Sequence, residues 1–265
     1  MKFEGKSLFN WTYAFYDKKL KNSIMSEQTS NNTILTILLP TYNEAATIQN
    51  MLEKIRSNIP NKITYEIVII DDNSPDGTSE IANSYFEKSG NEIKHNVYIR
   101  KNERGLSSAV IKGMEIANGK YVLVMDSDFS HPPEMINEMY NEIINKNLDI
   151  VIGSRYVKGG KFEGWPFSRR FMSRLANFIP KFVLGLKVND SMSGLFLIKK
   201  ELVDGISFKA IGYKILLEIL VKTKGSKIHE LPYTCKNRKE GISKFNFSII
   251  NDYFILLKIL INYKR

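Results

Sequence analysis

Between residues 33 and 152 the chain alternates short apolar runs with stretches of helical spacing, and few folds satisfy that rhythm. Ile34 to Leu39 is an apolar run closed by Pro40, which suits a buried strand. Ala45 to Ser57 then places Ile48, Met51, Leu52 and Ile55 at helical spacing. The pattern repeats: strands over Glu66 to Ile70, Asn96 to Ile99, Tyr121 to Met125 and Asp149 to Ile152 follow, with helices over Thr78 to Lys88, Leu106 to Ala117 and Pro133 to Asn145 between them. Strand and helix joined by short connections predict βαβ units and a parallel sheet covered on both faces.

In such sheets, ligands bind at the carboxyl ends of the strands. Four polar clusters fall there: Thr41 to Glu44, Asp71 to Ser74, Asp126 to Ser130, and Ser154-Arg155. Asp126-Ser127-Asp128 directly follows an apolar strand, so its two carboxylates need a compensating charge. Hard cations such as Mg²⁺ or Mn²⁺ take oxygen ligands and often use one or two carboxylates plus substrate phosphates. No G-x-G-x-x-G or Walker lysine pattern accompanies Gly105, which reads as a turn residue. His131, before Pro132-Pro133, reads equally as a base or as a hydrogen-bonded loop histidine.

Charge divides the chain. Residues 1–154 carry 16 basic and 20 acidic side chains, and residues 155–265 carry 22 and 8. A basic second half implies a polyanionic partner: nucleic acid, an anionic membrane or a phosphorylated substrate. Nucleic acid is disfavoured, because no such motif is present and paired acids at strand ends would have no role in it. Arg155, Arg169, Arg238 and Lys244 are candidates for phosphate recognition, since guanidinium groups grip phosphate bidentately. Trp165 to Lys187 is apolar and basic together, with Phe171, Leu175, Phe178, Phe182 and Leu186 at helical spacing and Pro180 as an expected break or kink. Such a segment suits a membrane surface or a helix packed on the sheet. Phe245 to Tyr263 is interrupted by Asn251, Asp252 and Lys258, so it reads as amphipathic rather than spanning. With no signal-peptide core at the N-terminus, the expected place is the cytoplasmic face of a membrane. The single cysteine, Cys235, excludes an internal disulfide.

Six blocks in fixed order resemble the polyprenyl-phosphate hexosyltransferases, inverting glycosyltransferases of family 2, and most closely their dolichyl-phosphate mannose-forming members. They are Pro40-Thr41-Tyr42-Asn43-Glu44, Asp71 to Thr78, Met125 to Glu134, Gly153 to Gly160, Asp190-Ser191-Met192-Ser193-Gly194, and Arg238 to Lys244. The resemblance implies a GT-A, Rossmann-like, mostly parallel sheet flanked by helices over 33–244, with an N-terminal extension over 1–32 and a C-terminal amphipathic, membrane-associated segment over 245–265. It implies transfer of a hexose from a nucleotide sugar, GDP-mannose first and a UDP-sugar second, to dolichyl or another polyprenyl phosphate. Pro40, Tyr42, Glu44 and Asp72 would hold the nucleoside. Asp126, Asp128 and Ser130 would hold Mg²⁺ or Mn²⁺, with Ser127 beside the donor. Arg155, Arg169 and Ser173 would meet the acceptor phosphate, and Arg238 and Lys244 would close over the donor phosphates. Membrane attachment would come from the amphipathic segments or from a separate small membrane subunit.

Overall fold

The structure, a computed structural model, describes residues 34–60, 62–90, 92–209, 211–236 and 247–264. The expectations for residues 1–32, Arg238 and Lys244 lie outside them. The alternating half folds as β1 (Leu35–Thr41), α1 (Ile48–Asn58), β2 (Tyr65–Asp71), α2 (Thr78–Lys88), β3 (Lys94–Ile99), α3 (Leu106–Ile116), β4 (Tyr121–Val124), α4 (Met135–Asn145) and β5 (Ile150–Ser154). A small strand β6 (Lys161–Phe162), helix α5 (Phe167–Val183), β7 (Phe196–Lys199), α6 (Ile215–Lys222), β8 (Ile228–Pro232), β9 (Thr234–Cys235) and α7 (Phe247–Lys264) complete it.

Seven strands form one sheet in the order β3-β2-β1-β4-β7-β5-β8, and β6 pairs with β9 beside it. Within β1, successive side chains serve opposite faces of the sheet. Ile37 and Leu39 pack with Met51, Ile55, Phe86 and Met139 from α1, α2 and α4. Leu38 packs on the other face with Val110 and Met114 from α3, in a cluster that also holds Ile215 and Ile219 of α6. Pro40 is tolerated in this central strand because β1–β4 pairing stops at Leu38–Val124.

The sheet is mostly parallel, as expected, with one reversed strand. β7 runs antiparallel to both β4 and β5. The loop before β7 therefore reaches the edge where the parallel strands end.

Pro180 does not break α5; the helix continues to Val183. A proline lacks the N–H that would bond the carbonyl four residues back. That carbonyl, on Ala176, instead accepts a 2.9 Å hydrogen bond from the Tyr253 hydroxyl of α7. α7 is joined further to the domain through Leu256, Leu257 and Leu260, which bury against Leu184, Met192 and Leu217. Leu186 lies past the end of α5 and packs inward, while Phe171, Leu175, Phe178 and Phe182 are exposed.

Candidate active site

Past the ends of β1 and β2, two loops are laced together. Thr41 and Ser74 both donate to the Asp71 carboxylate, at 2.8 and 2.6 Å. The Asn43 amide donates to Ser74 Oγ, the Glu44 amide to Thr78 Oγ1 and the Ala45 amide to Asp76. Asn43 and Asn73 sit in the left-handed region, at φ 62° and 55°, which asparagine tolerates in tight turns. Tyr42 lies under Arg104, whose Cζ is 4.9 Å from the ring centroid. Glu44 Oε2 accepts from Thr47. Asp72 is buried and ion-paired with Arg100, and its second oxygen accepts the Gly105 amide at 2.8 Å. Asp72 thus fixes the loop before α3, where Gly105 has φ 135° and caps the helix. Asp71 and Asp76, which stood in a recognised block without a role, and Arg100, which lay outside the blocks, build this end.

The acidic turn follows β4. Ser127, Asp128 and Ser130 are buried, and Asp126 is partly exposed. The Ser130 amide donates to Asp128 Oδ1 at 2.9 Å, closing a turn that forces Phe129 to φ 61°. A bulky residue there is strained, a feature that concentrates at functional sites. The Asp126 amide donates to His131 Nδ1 at 2.8 Å. His131 Nδ1 is therefore an acceptor, and its ring packs edge-on against Tyr233. The loop-histidine reading describes what His131 does here. Gly194 lets the next loop approach: a Cβ there would lie 3.0 Å from His131 Cε1.

No group of three His, Cys, Asp or Glu side chains that could hold a metal occurs among the described residues. Two carboxylates in one turn still fit a hard cation whose remaining ligands are phosphate and water. The buried Ser127 Oγ has no hydrogen-bond partner, leaving an oxygen donor unspent in the same turn.

A basic cluster faces this turn. Arg155, just past β5, is held by Asp190: Nε and Nη2 each lie 2.8 Å from its carboxylate, and the Arg155 amide donates at 3.0 Å. Burial opposes the charge on Arg155, but Asp190 outweighs it and holds the guanidinium above its ordinary pKa. Nη1 is the arm of the fork that Asp190 does not use. Asp190 is positioned in turn by Glu230 of β8, which accepts the Asn189 and Asp190 amides. On α5, Arg169 stacks over Trp165 with its Cζ 3.7 Å from the ring centroid, and Ser173 accepts the Tyr156 hydroxyl at 2.7 Å. Asn177, one turn on, accepts from the Met192 amide and ties α5 to the Asp190 loop.

Two residues had gone unassigned in the sequence. Asp190 stood in a recognised block without a role, and only the antiparallel β7 brings it to the strand ends. Lys214, just before α6, has no signal in the sequence at all. Burial, then Arg155, pulls its pKa down to about 8, with Asp190 and Asp126 opposing.

Known proteins place this arrangement. The family model described as Glycosyl transferase family 2 matches residues 36–206. A Pyrococcus furiosus protein named dolichol-phosphate mannosyltransferase is 42% identical over 83% of the chain, and the chain spans 61% of that relative's length. A Saccharomyces cerevisiae protein of the same name is 31% identical over 86% of the chain and 87% of its own length. An undecaprenyl-phosphate mannosyltransferase of Micrococcus luteus is 32% identical over 83% of the chain and 90% of its own length. Among solved structures, glucosyl-3-phosphoglycerate synthase of Mycobacterium tuberculosis, crystallised with Mn²⁺, UDP and glucosyl-3-phosphoglycerate, superposes with a TM-score of 0.63 at 16% identity. That match covers 88% of this chain and 80% of the other, and establishes the GT-A fold. The chain belongs to glycosyl transferase family 2.

Proposed function

We propose that the protein transfers mannose from GDP-mannose to dolichyl or another polyprenyl phosphate, inverting the anomeric centre. One observation carries this reading. Arg169 and Ser173 lie one turn apart on α5, beside Arg155, whereas Phe171, Leu175, Phe178 and Phe182 occupy the other side of the same helix. Residues two apart on a helix point about 200° away from each other. Phe167 and Phe182 are each 81% exposed and Phe178 64%. A helix that offers Arg169 and Ser173 on one side and bare aromatic rings on the other, with Arg170, Arg174 and Lys181 flanking the rings, suits a phosphate on an isoprenoid chain at an anionic surface. Among the described residues no helix is long and apolar enough to cross a membrane. We place the protein peripherally, with α5 against the cytoplasmic face, alone or with a small membrane subunit.

A phosphate monoester is largely dianionic at pH 7. The acceptor oxygen therefore attacks without a base, in keeping with His131 being engaged by a backbone amide. The new bond joins phosphate oxygen to the anomeric carbon as the bond to the nucleoside diphosphate breaks on the opposite side. Arg155, Arg169 and Ser173 hold the acceptor phosphate, and Arg238 and Lys244 hold the donor phosphates. Mg²⁺ or Mn²⁺, held by Asp126 and Asp128 with Ser130, would stabilise charge on the departing diphosphate. Pro40, Tyr42, Glu44 and the loop fixed by Asp72 receive the nucleoside, and Ser127 lies beneath the donor. A UDP-sugar donor is the second reading.

Calorimetry of GDP with Mn²⁺ tests the donor half. Asp128→Asn should weaken metal-dependent GDP binding by about tenfold or more, roughly 1.4 kcal/mol. Binding unchanged by this substitution would overturn the metal assignment.

A further inference from the structure

The three residues assigned to the acceptor phosphate come from different segments, yet all of them meet one aromatic cluster. The Arg155 Cζ lies 5.8 Å from the Tyr156 ring centroid, 5.5 Å from that of Phe162 and 5.9 Å from that of Trp165. Arg169 stacks on the same indole at 3.7 Å. The Tyr156 hydroxyl donates to Ser173 Oγ. The rings hold each other: Tyr156 and Phe162 are 5.3 Å apart, Phe162 and Trp165 4.9 Å. From this geometry we infer that Trp165, backed by Phe162 and Tyr156, is a positioning residue that sets the spacing of the two guanidinium groups around the acceptor phosphate.

Two like charges brought to one place repel, and a π face is a neutral surface that attracts both. Trp165 contacts both guanidinium groups, so it holds them near each other before any anion arrives. Its own placement is rigid. Pro166 follows it and opens α5 with φ −59°. The Trp165 carbonyl accepts Arg170 Nε at 2.9 Å. Phe162 lies on β6, which pairs with β9 through Phe162–Cys235.

The inference rests on the acceptor reading proposed above, and the test separates the two. Trp11 and Trp165 are the chain's two tryptophans. In a Trp11→Phe background the intrinsic emission reports Trp165 alone. Titration with a short isoprenyl phosphate should shift or quench that emission, and Arg169→Ala should remove the response. Inorganic phosphate, as the second arm, should give a weaker response at the same saturation series if the lipid chain adds affinity. In transfer kinetics, Trp165→Leu should raise acceptor KM by about tenfold. The GDP dissociation constant should stay unchanged. Trp165→Phe, which keeps a π face, should recover most of the loss. A normal acceptor KM in Trp165→Leu, alongside a raised KM in Arg169→Ala, would overturn the frame and leave the acceptor site standing. Unchanged KM in both variants would overturn the acceptor site and the frame with it.

Discussion

Arg155 is a buried cation whose charge is kept by a single carboxylate. Asp190 grips it in a two-pronged geometry, and its own side chain is fully buried. Breaking such a pair leaves an uncompensated charge inside the protein, which costs about 3–5 kcal/mol. Asp190→Asn should therefore lower unfolding free energy by about 3 kcal/mol in denaturant titrations, and transfer should fall with it. A loss below about 1 kcal/mol, the range of an exposed pair, would contradict the pairing. At this scale the sequence was a partial guide. Asp126 and Asp128 declared themselves because two acids after an apolar strand need a purpose. Arg155 did so from its place after a strand. Asp190 could not, because its partner lies 35 positions away and meets it only in three dimensions. Lys214 could not either, since a lysine between Tyr213 and an apolar helix looks like any surface residue.

Helix α5 shows how an element can survive a residue that should break it. Pro180 removes the bond to the Ala176 carbonyl, and Tyr253 replaces it from another helix. Tyr253→Phe should cost about 1 kcal/mol, because the partly buried carbonyl loses its one hydrogen bond across the helices. Burial also raises the Tyr253 hydroxyl to about 12 from its ordinary 10.0. A raised pKa means the fold favours the neutral phenol. Its contribution is complete below about pH 10 and is lost as pH rises through about 12. Alkaline unfolding should accordingly lose its Tyr253-dependent part in the Tyr253→Phe protein, measured as stability against pH. Equal stability of the two proteins from pH 7 to 12 would refute the bridge. The first nine elements were legible because hydrophobic periodicity and turn residues mark each of them. β7 was not, because four apolar residues after Gly194 carry no period that separates an antiparallel strand from a loop. The strand matters more than its length suggests, since its reversed direction delivers Asp190 and Gly194 to the site.

Across the whole molecule, the division of charge seen in the sequence becomes a division of labour. The acidic half supplies the loops that follow β1 and β2 and the Asp126–Asp128 turn. The basic half supplies Arg155, Arg169 and the exposed face of α5, and both halves converge on one edge of one sheet. Under the proposed function, the net charge of +10 belongs to a surface that handles anions rather than to the fold. The C-terminal helix α7 buries three leucines against α6 and its neighbours while Phe254, Ile255 and Tyr263 stay exposed. The most direct test of the central claim is transfer itself. Purified protein would be given a short isoprenyl phosphate, Mg²⁺ or Mn²⁺, and radiolabelled GDP-mannose, UDP-glucose or UDP-N-acetylglucosamine in separate reactions. Label should enter the organic phase from GDP-mannose, as a β-linked lipid phosphate sugar, and chelation should abolish it. Label entering from a UDP-sugar in place of GDP-mannose would keep the chemistry and overturn the donor; no lipid-linked label from any of the three, with GDP still binding, would contradict the proposed acceptor.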